Sequence, residues 1–175
     1  MSKDLRIVVT GGGTGGHFFP AMAIRDALKE KGVTVKYIGS IFGVEATKFS
    51  KNSSSELLLN IRGIQRQLNI NSIMKNLLFL YRFLKSYYQS RKLLDEFKPH
   101  LVVGTGGYSS GLPLLAAIHK GIKTVIQEQN SYPGITTRHL ASRVDAICIA
   151  YHETKVHLKK KIQFLLEILF ERAFK

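Results

Sequence analysis

Gly11-Gly12-Gly13-Thr14-Gly15-Gly16-His17 is the stretch that decides how this chain is read. Before it stands Arg6–Thr10 (RIVVT), a short β-branched run; after it comes Pro20–Lys31 (PAMAIRDALKEK), with Met22, Ala23, Ala27 and Leu28 at helical spacing and Gly32 as the C-cap. A strand that passes through glycines into a helix is the opening unit of a parallel sheet covered by helices. Glycines at that point permit positive φ and close backbone approach, while unpaired N–H groups at the helix start favour an anion such as phosphate. Tight helix-on-strand packing without any ligand is the plainer alternative.

Outward from this turn the pattern repeats. Val33–Ile38 reads as a strand, Val44–Phe49 as a short helix, Leu57–Ile61 as a strand and Ser72–Phe97 as a long helix closed by Pro99. Leu101–Gly104, Thr124–Gln127 and Ala146–Ala150 are further apolar runs, separated by the helical stretches Leu112–Lys120 and Thr136–Ser142. The alternation predicts one α/β domain with a doubly wound parallel sheet, Rossmann-like, up to about Ala150. A second glycine-rich turn, Gly104-Thr105-Gly106-Gly107-Tyr108-Ser109-Ser110-Gly111, occupies the same strand-to-helix position. In such sheets these turns lie at the carboxyl ends of the strands, so the two line one crevice and together fit a diphosphate better than either alone.

Gly11, Gly13 and Gly16 satisfy G-x-G-x-x-G, but a dinucleotide site also wants a carboxylate about 20 positions on, at the end of the second strand. That strand ends Tyr37-Ile38-Gly39-Ser40, which argues against NAD, and no Gly-Lys-Ser/Thr is present for a P-loop. His17 sits on the lip of the first turn, where an imidazole with an ordinary pKa of about 6.5 serves equally as a general base or as a positioning group. Gln127-Glu128-Gln129-Asn130 closes another strand and offers amides and a carboxylate to a sugar, with turn capping as the alternative. His100, His119, His139, His152 and His157 show no metal-ligand spacing, and a single cysteine builds no thiolate zinc site, so neither cofactor nor structural metal is expected.

The 175 residues carry 26 Lys+Arg against 12 Asp+Glu, a net charge of +14, and are 45% hydrophobic, too apolar for a disordered chain. Cys148 is alone, which suits a reducing compartment, and the N-terminus is too short in apolar residues for a signal-peptide core. Residues 61–100 hold +6 of the excess charge. Within them the long helix puts Ile73, Leu77, Leu80, Leu84, Tyr87 and Tyr88 on one face and sends Phe79 and Phe83 to the far side, with Lys75, Arg82 and Lys85 between. That is more apolar surface than one packing contact uses, and it predicts a helix lying in an anionic membrane interface, with a core helix meeting another domain as the alternative. No run reaches the roughly 18 apolar residues of a membrane span. No nucleic-acid motif accompanies the charge.

Three motifs taken together carry a resemblance. Gly11 to His17 with Pro20, Gly104 to Tyr108, and Gln127 to Asn130 with Gly134 resemble, in order and spacing, the N-terminal domain of the MurG family, over about residues 4–152. The resemblance implies the N-terminal half of a GT-B fold, and an inverting transfer of N-acetylglucosamine from UDP-N-acetylglucosamine to a muramyl hydroxyl. The acceptor it implies is an undecaprenyl-pyrophosphoryl muramoyl-pentapeptide (lipid I to lipid II, in peptidoglycan synthesis), used by a peripheral protein at the cytoplasmic face of the bacterial plasma membrane. Thr14, Gly15 and Gly16 would then meet a substrate diphosphate, and Asn130, with Glu128 beside it, the sugar nucleotide. Gly106, Gly107 and Tyr108 would form the other side of the acceptor crevice, with His17 the candidate base. Leu77, Tyr81, Leu84 and Tyr87, with Lys75, Arg82 and Lys85, would make the membrane patch.

The chain departs from the family after residue 152. A second Rossmann-like domain holding most of the UDP-sugar would follow in the family; here residues 153–175 form an atypical tail, expected to be a frameshifted or truncated end. The chain alone is expected to bind acceptor and to turn over poorly or not at all, a separate donor-domain chain being one way to complete it. A non-catalytic module binding anionic membrane and phosphorylated lipid is the competing expectation.

Overall fold

The computed structural model describes residues 4–49, 55–61, 72–158 and 163–165. In chain order the elements are β1 Arg6–Thr10, α1 Gly15–Glu30, β2 Thr34–Ser40, α2 Glu45–Lys48, β3 Glu56–Leu59, α3 Ser72–Phe97, β4 Leu101–Gly104, α4 Tyr108–His119, β5 Lys123–Glu128, α5 Ile135–Leu140, β6 Ala146–Ile149, a 3-10 helix His152–His157 and β7 Gln163–Leu165. The strands form one sheet in the order β3-β2-β1-β4-β5-β6-β7. Every pairing is parallel. This is the doubly wound sheet that the alternating pattern predicts. The strand order reverses between β1 and β4, which pair with Thr10 opposite Gly104, and the carboxyl ends of those two strands flank the crevice where such sheets take ligands.

Strands buried on both faces explain the unbroken apolar runs. Val8 faces one core with Ile38, Leu94, Val102, Leu114, Ile126 and Ile147, under α3, α4 and α5. Ile7 and Val9 face the other with Phe18, Ala21, Val35 and Tyr37, under α1 and α2. Phe18, Tyr37 and Phe49 meet edge to face or tilted in that second core, with centroids 5.3–6.3 Å apart.

Both helices that follow glycine turns start earlier than their periodicity suggests, α1 at Gly15 rather than Pro20 and α4 at Tyr108 rather than Leu112. Each carries a proline at its sixth position, Pro20 and Pro113. Proline is favoured at the first helical position, so it reads as a start; here it sits one turn further in and gives up one backbone hydrogen bond. Gly32, at φ +75°, follows α1 as expected. The segment expected as a tail supplies the 3-10 helix, whose last neighbour Leu158 is buried, and β7, whose Phe164 pairs with Cys148 of β6.

On α3 the apolar face drawn by helical spacing divides, Tyr87 turning to the core and Leu80, Leu84 and Tyr88 away from it. Phe83, Tyr87, Leu94 and Phe97 face the core, with Ser86 and Ser90 fully buried between them, whereas Leu80, Leu84 and Tyr88 point to solvent. The two buried serines are small enough to bring α3 close to α4, and a wheel drawn on hydrophobicity counts them as polar.

Candidate active site

The two glycine turns meet at the switch point. Thr105 at the tip of β4 joins them, donating its amide to the Thr10 carbonyl (2.9 Å) and its hydroxyl to the His17 carbonyl (2.7 Å). Gly107 caps α4 with φ +76° and ψ 168°, a region open essentially to glycine alone, and a Cβ there would overlap the carbonyl oxygen of Gly12. The ring of Tyr108 covers Gly13, whose own Cβ would fall 2.5 Å from Cε1 of that ring. Gly106 lies against the imidazole of His17. Gly106, Gly107, Tyr108 and His17 therefore form one wall.

Behind the first turn stands a residue that sequence reasoning missed. Glu45, at the start of α2, is fully buried; one carboxylate oxygen accepts the amides of Gly13 (3.1 Å) and Ser40 (2.8 Å), and the other accepts Gly13 again (3.0 Å). The Tyr37 hydroxyl donates to the Gly11 carbonyl beside it. Burial, and then the charge of Glu45, push the Tyr37 phenol far above its ordinary range, so it stays a donor. β2 ends without the carboxylate of a dinucleotide site, and Glu45, five residues later on α2, turns inward onto the loop. The Gly13 amide is thereby consumed inside the protein, and a ligand anion is left the amides that open α1, those of Gly15 and Gly16, which have no intrahelical partner. Open space surrounds the position a Cβ on Gly16 would take.

Thr14 is the N-cap of α1, and its hydroxyl lies 2.9 Å from Nδ1 of His17 rather than capping a backbone amide. When Nδ1 carries the proton and donates it to Thr14, Nε2 is free to accept one. Burial lowers the His17 pKa from its ordinary value, and the charge of Glu128 partly opposes this, so the ring is neutral at neutral pH. A neutral, oriented imidazole beside helix-opening amides has what proton abstraction from a hydroxyl requires.

Glu128 takes the turn-capping place that stood as the alternative to a sugar contact, whereas Asn130 stays on the surface. Glu128 is buried at the end of β5 and accepts the Asn130 amide (3.1 Å), the Asn130 side-chain amide (2.8 Å) and the Gly134 amide (3.1 Å). It lies behind the surface and orients Asn130, which is exposed and keeps its side-chain oxygen as an acceptor. Thr136 ties this loop to the second turn, its hydroxyl donating to the Gly107 carbonyl at 3.0 Å.

The α3 residues stand apart, under the opposite face of the sheet from α1. Tyr81 and Leu84 are exposed, 61% and 56%, Lys85 is exposed and Arg82 half-buried. The side chains of Lys75 and Leu77 lie outside the described residues. Tyr87 does not share the outward face: its hydroxyl meets Nδ1 of His119 at 2.7 Å, and Arg143 donates to Nε2 of the same ring at 2.9 Å. Among the described residues no helix is long and apolar enough to cross a membrane.

The glycosyltransferase family 28 N-terminal domain matches residues 7–149. The "UDP-N-acetylglucosamine--N-acetylmuramyl-(pentapeptide) pyrophosphoryl-undecaprenol N-acetylglucosamine transferase" of Christiangramia forsetii is 41% identical over 157 residues, covering 89% of this chain and 42% of the relative. Its namesake from Lactococcus lactis is 42% identical over 150 residues, covering 85% and 41%. The chain thus spans less than half the length of these relatives. The crystal structure of Acinetobacter baumannii MurG superposes with a TM-score of 0.73 at 25% identity, over 92% of this chain and 45% of that one. A UDP-bound structure of S. aureus MnaA shares the fold, with a TM-score of 0.61 at 15% identity. With the family's domain matched from β1 to β6 and a MurG structure superposing on the same sheet, this chain belongs to glycosyltransferase family 28, as its N-terminal domain.

Proposed function

We propose that the chain is the acceptor-binding half of an inverting transferase that moves N-acetylglucosamine from UDP-N-acetylglucosamine to a pyrophosphoryl-undecaprenol-linked muramyl pentapeptide. The observation that carries this reading is the convergence of the two turns: the helix-opening amides of Gly15 and Gly16 on one side, and on the other the wall of Gly106 to Tyr108 with the His17 imidazole against it. The pyrophosphate sits on the α1 amides, His17 accepts the proton of the attacking hydroxyl, and Asn130 accepts a hydrogen bond from the sugar. No metal enters this scheme. The Leu80–Leu84–Tyr88 stripe, flanked by Tyr81 and Lys85, rests on the anionic cytoplasmic surface of the membrane and brings the crevice to its lipid-linked substrate. The remaining half of such a transferase, on the same or a separate polypeptide, would hold most of the nucleotide.

The test measures transfer of labelled N-acetylglucosamine to lipid-linked acceptor by this chain with and without a donor-domain polypeptide, beside binding of a muramyl 1-diphosphate to the chain alone. Binding by the chain and transfer only with the added half are expected. Failure of the diphosphate to bind, with the chain folded, overturns the assignment. Binding without transfer in the completed enzyme points to a non-catalytic module.

A further inference from the structure

Beyond Asn130 the rim of the sheet carries a cationic site that the transfer scheme does not use. Arg138 of α5 is exposed, and its Nη1 donates to the Tyr132 hydroxyl at 2.8 Å. Its guanidinium carbon stands 4.9 Å from the centroid of the Tyr132 ring, and His157 meets the same ring edge to face at 4.8 Å. The loop bearing Tyr132 is fixed on both sides, by Glu128 through Asn130 and Gly134, and by Thr154, whose hydroxyl donates to the Asn130 carbonyl at 2.9 Å. Among the described residues no carboxylate pairs with Arg138: Asp145 is taken by Lys123 and Thr124, and Glu153 forms no ion pair with it. An arginine held by a neutral phenol rather than by an acid keeps most of its N–H fork for a ligand, and the phenol keeps its own proton to donate.

We infer that Arg138 and Tyr132 form a carboxylate subsite for the peptide carried by the acceptor. The inference rests on the acceptor reading above and takes its direction from the order of elements. Along the rim the α1 amides follow β1, the Asn130–Gly134 loop follows β5, and the Tyr132 ring that holds Arg138 meets His157, which follows β6, so a ligand running from the amides across this edge meets them in that order. A muramyl pentapeptide on a pyrophosphoryl carrier presents phosphate, sugar and peptide in the same order. The phosphates are served at the first position, and the group that reaches the third is the peptide, whose carboxylates match a planar guanidinium.

Binding of three soluble probes to the folded chain tests this: a muramyl-pentapeptide 1-diphosphate, the same compound with its peptide carboxylates amidated, and the muramyl 1-diphosphate without peptide. The free-carboxylate peptide is expected to tighten binding about five- to tenfold over the peptide-free compound, and amidation to remove that gain. Arg138→Ala removes the gain while leaving the affinity of the peptide-free probe unchanged, and Tyr132→Phe, which keeps the ring and loses the hydroxyl, removes part of it. A gain that survives Arg138→Ala or amidation, or no gain in the unaltered chain, overturns the subsite and leaves the acceptor reading standing. Failure of all three probes to bind removes both.

Discussion

The buried carboxylate of Glu45 accepts the amide of Gly13 through both of its oxygens, at 3.1 and 3.0 Å, across 32 residues of chain. This pair turns the inner half of the glycine loop toward the protein and leaves the outer half for a ligand. Removing the acid leaves the buried Ser40 amide and the half-buried Gly13 amide without their acceptor, and an unmet donor away from water costs free energy. Glu45→Ala should therefore destabilise the chain by about 2–4 kcal/mol in urea denaturation. Amide exchange at Gly13 should accelerate well beyond the change seen in the β1 strand. An unaltered exchange rate at Gly13 would mean that the carboxylate does not hold the loop.

Gly107 and Gly121 separate backbone strain from collision. Both have positive φ, +76° and +67°, but a side chain on Gly121 meets nothing within 4 Å, whereas one on Gly107 runs into the Gly12 carbonyl. Gly121→Ala should cost about 1 kcal/mol, and Gly107→Ala about 3 kcal/mol or more. Only the second should also abolish binding of a muramyl 1-diphosphate, because it drives the two turns apart. Equal losses of stability in the two variants would show that the turns do not touch.

These contacts mark where the sequence stops being informative. The parallel sheet and the two turns are legible because glycines after β-branched runs and apolar helical spacing are local signals. The helix starts were misread by four or five residues, since Pro20 and Pro113 imitate a first-turn proline. Glu45 was invisible for a different reason. It is one acid in a short helix, and only the fold brings it beneath Gly13; the neighbouring Gly43, where a Cβ would strike the same carboxylate, is the one local hint. The facing of α3 turned on Ser86 and Ser90, buried for their size against their polarity.

His17 offers a titration with a defined sign. Burial lowers its pKa below 6.5 and Glu128 raises it part of the way back. An NMR titration should therefore place the His17 midpoint below 6.5, and Glu128→Gln should move it lower still. Because the unfolded imidazole takes up its proton first, this residue's contribution to stability is fully present above pH ~6.5 and is lost as pH falls from there toward the folded-state pKa. A midpoint above 6.5, or an upward move in Glu128→Gln, contradicts the arrangement.

The two faces of α3 give opposite expectations for chemically similar changes. Leu84 and Tyr88 are more than half exposed and make no core contact, so Leu84→Ser with Tyr88→Ser should leave stability within about 0.5 kcal/mol. The same pair of changes should reduce sedimentation with anionic vesicles about tenfold or more, since it removes the apolar area that enters the acyl boundary. Phe83 packs against the core and its ring lies 6.2 Å from that of Phe79. Phe83→Ala should cost about 2–3 kcal/mol of stability, with little effect on vesicle binding by the chain that remains folded. Neutral vesicles should bind the unaltered chain weakly, because Lys85 and its neighbours then have no headgroup charge to meet. If Leu84→Ser with Tyr88→Ser unfolds the chain while Phe83→Ala frees it from vesicles, α3 packs by the face that hydropathy alone selects, and the outward stripe is not the membrane surface.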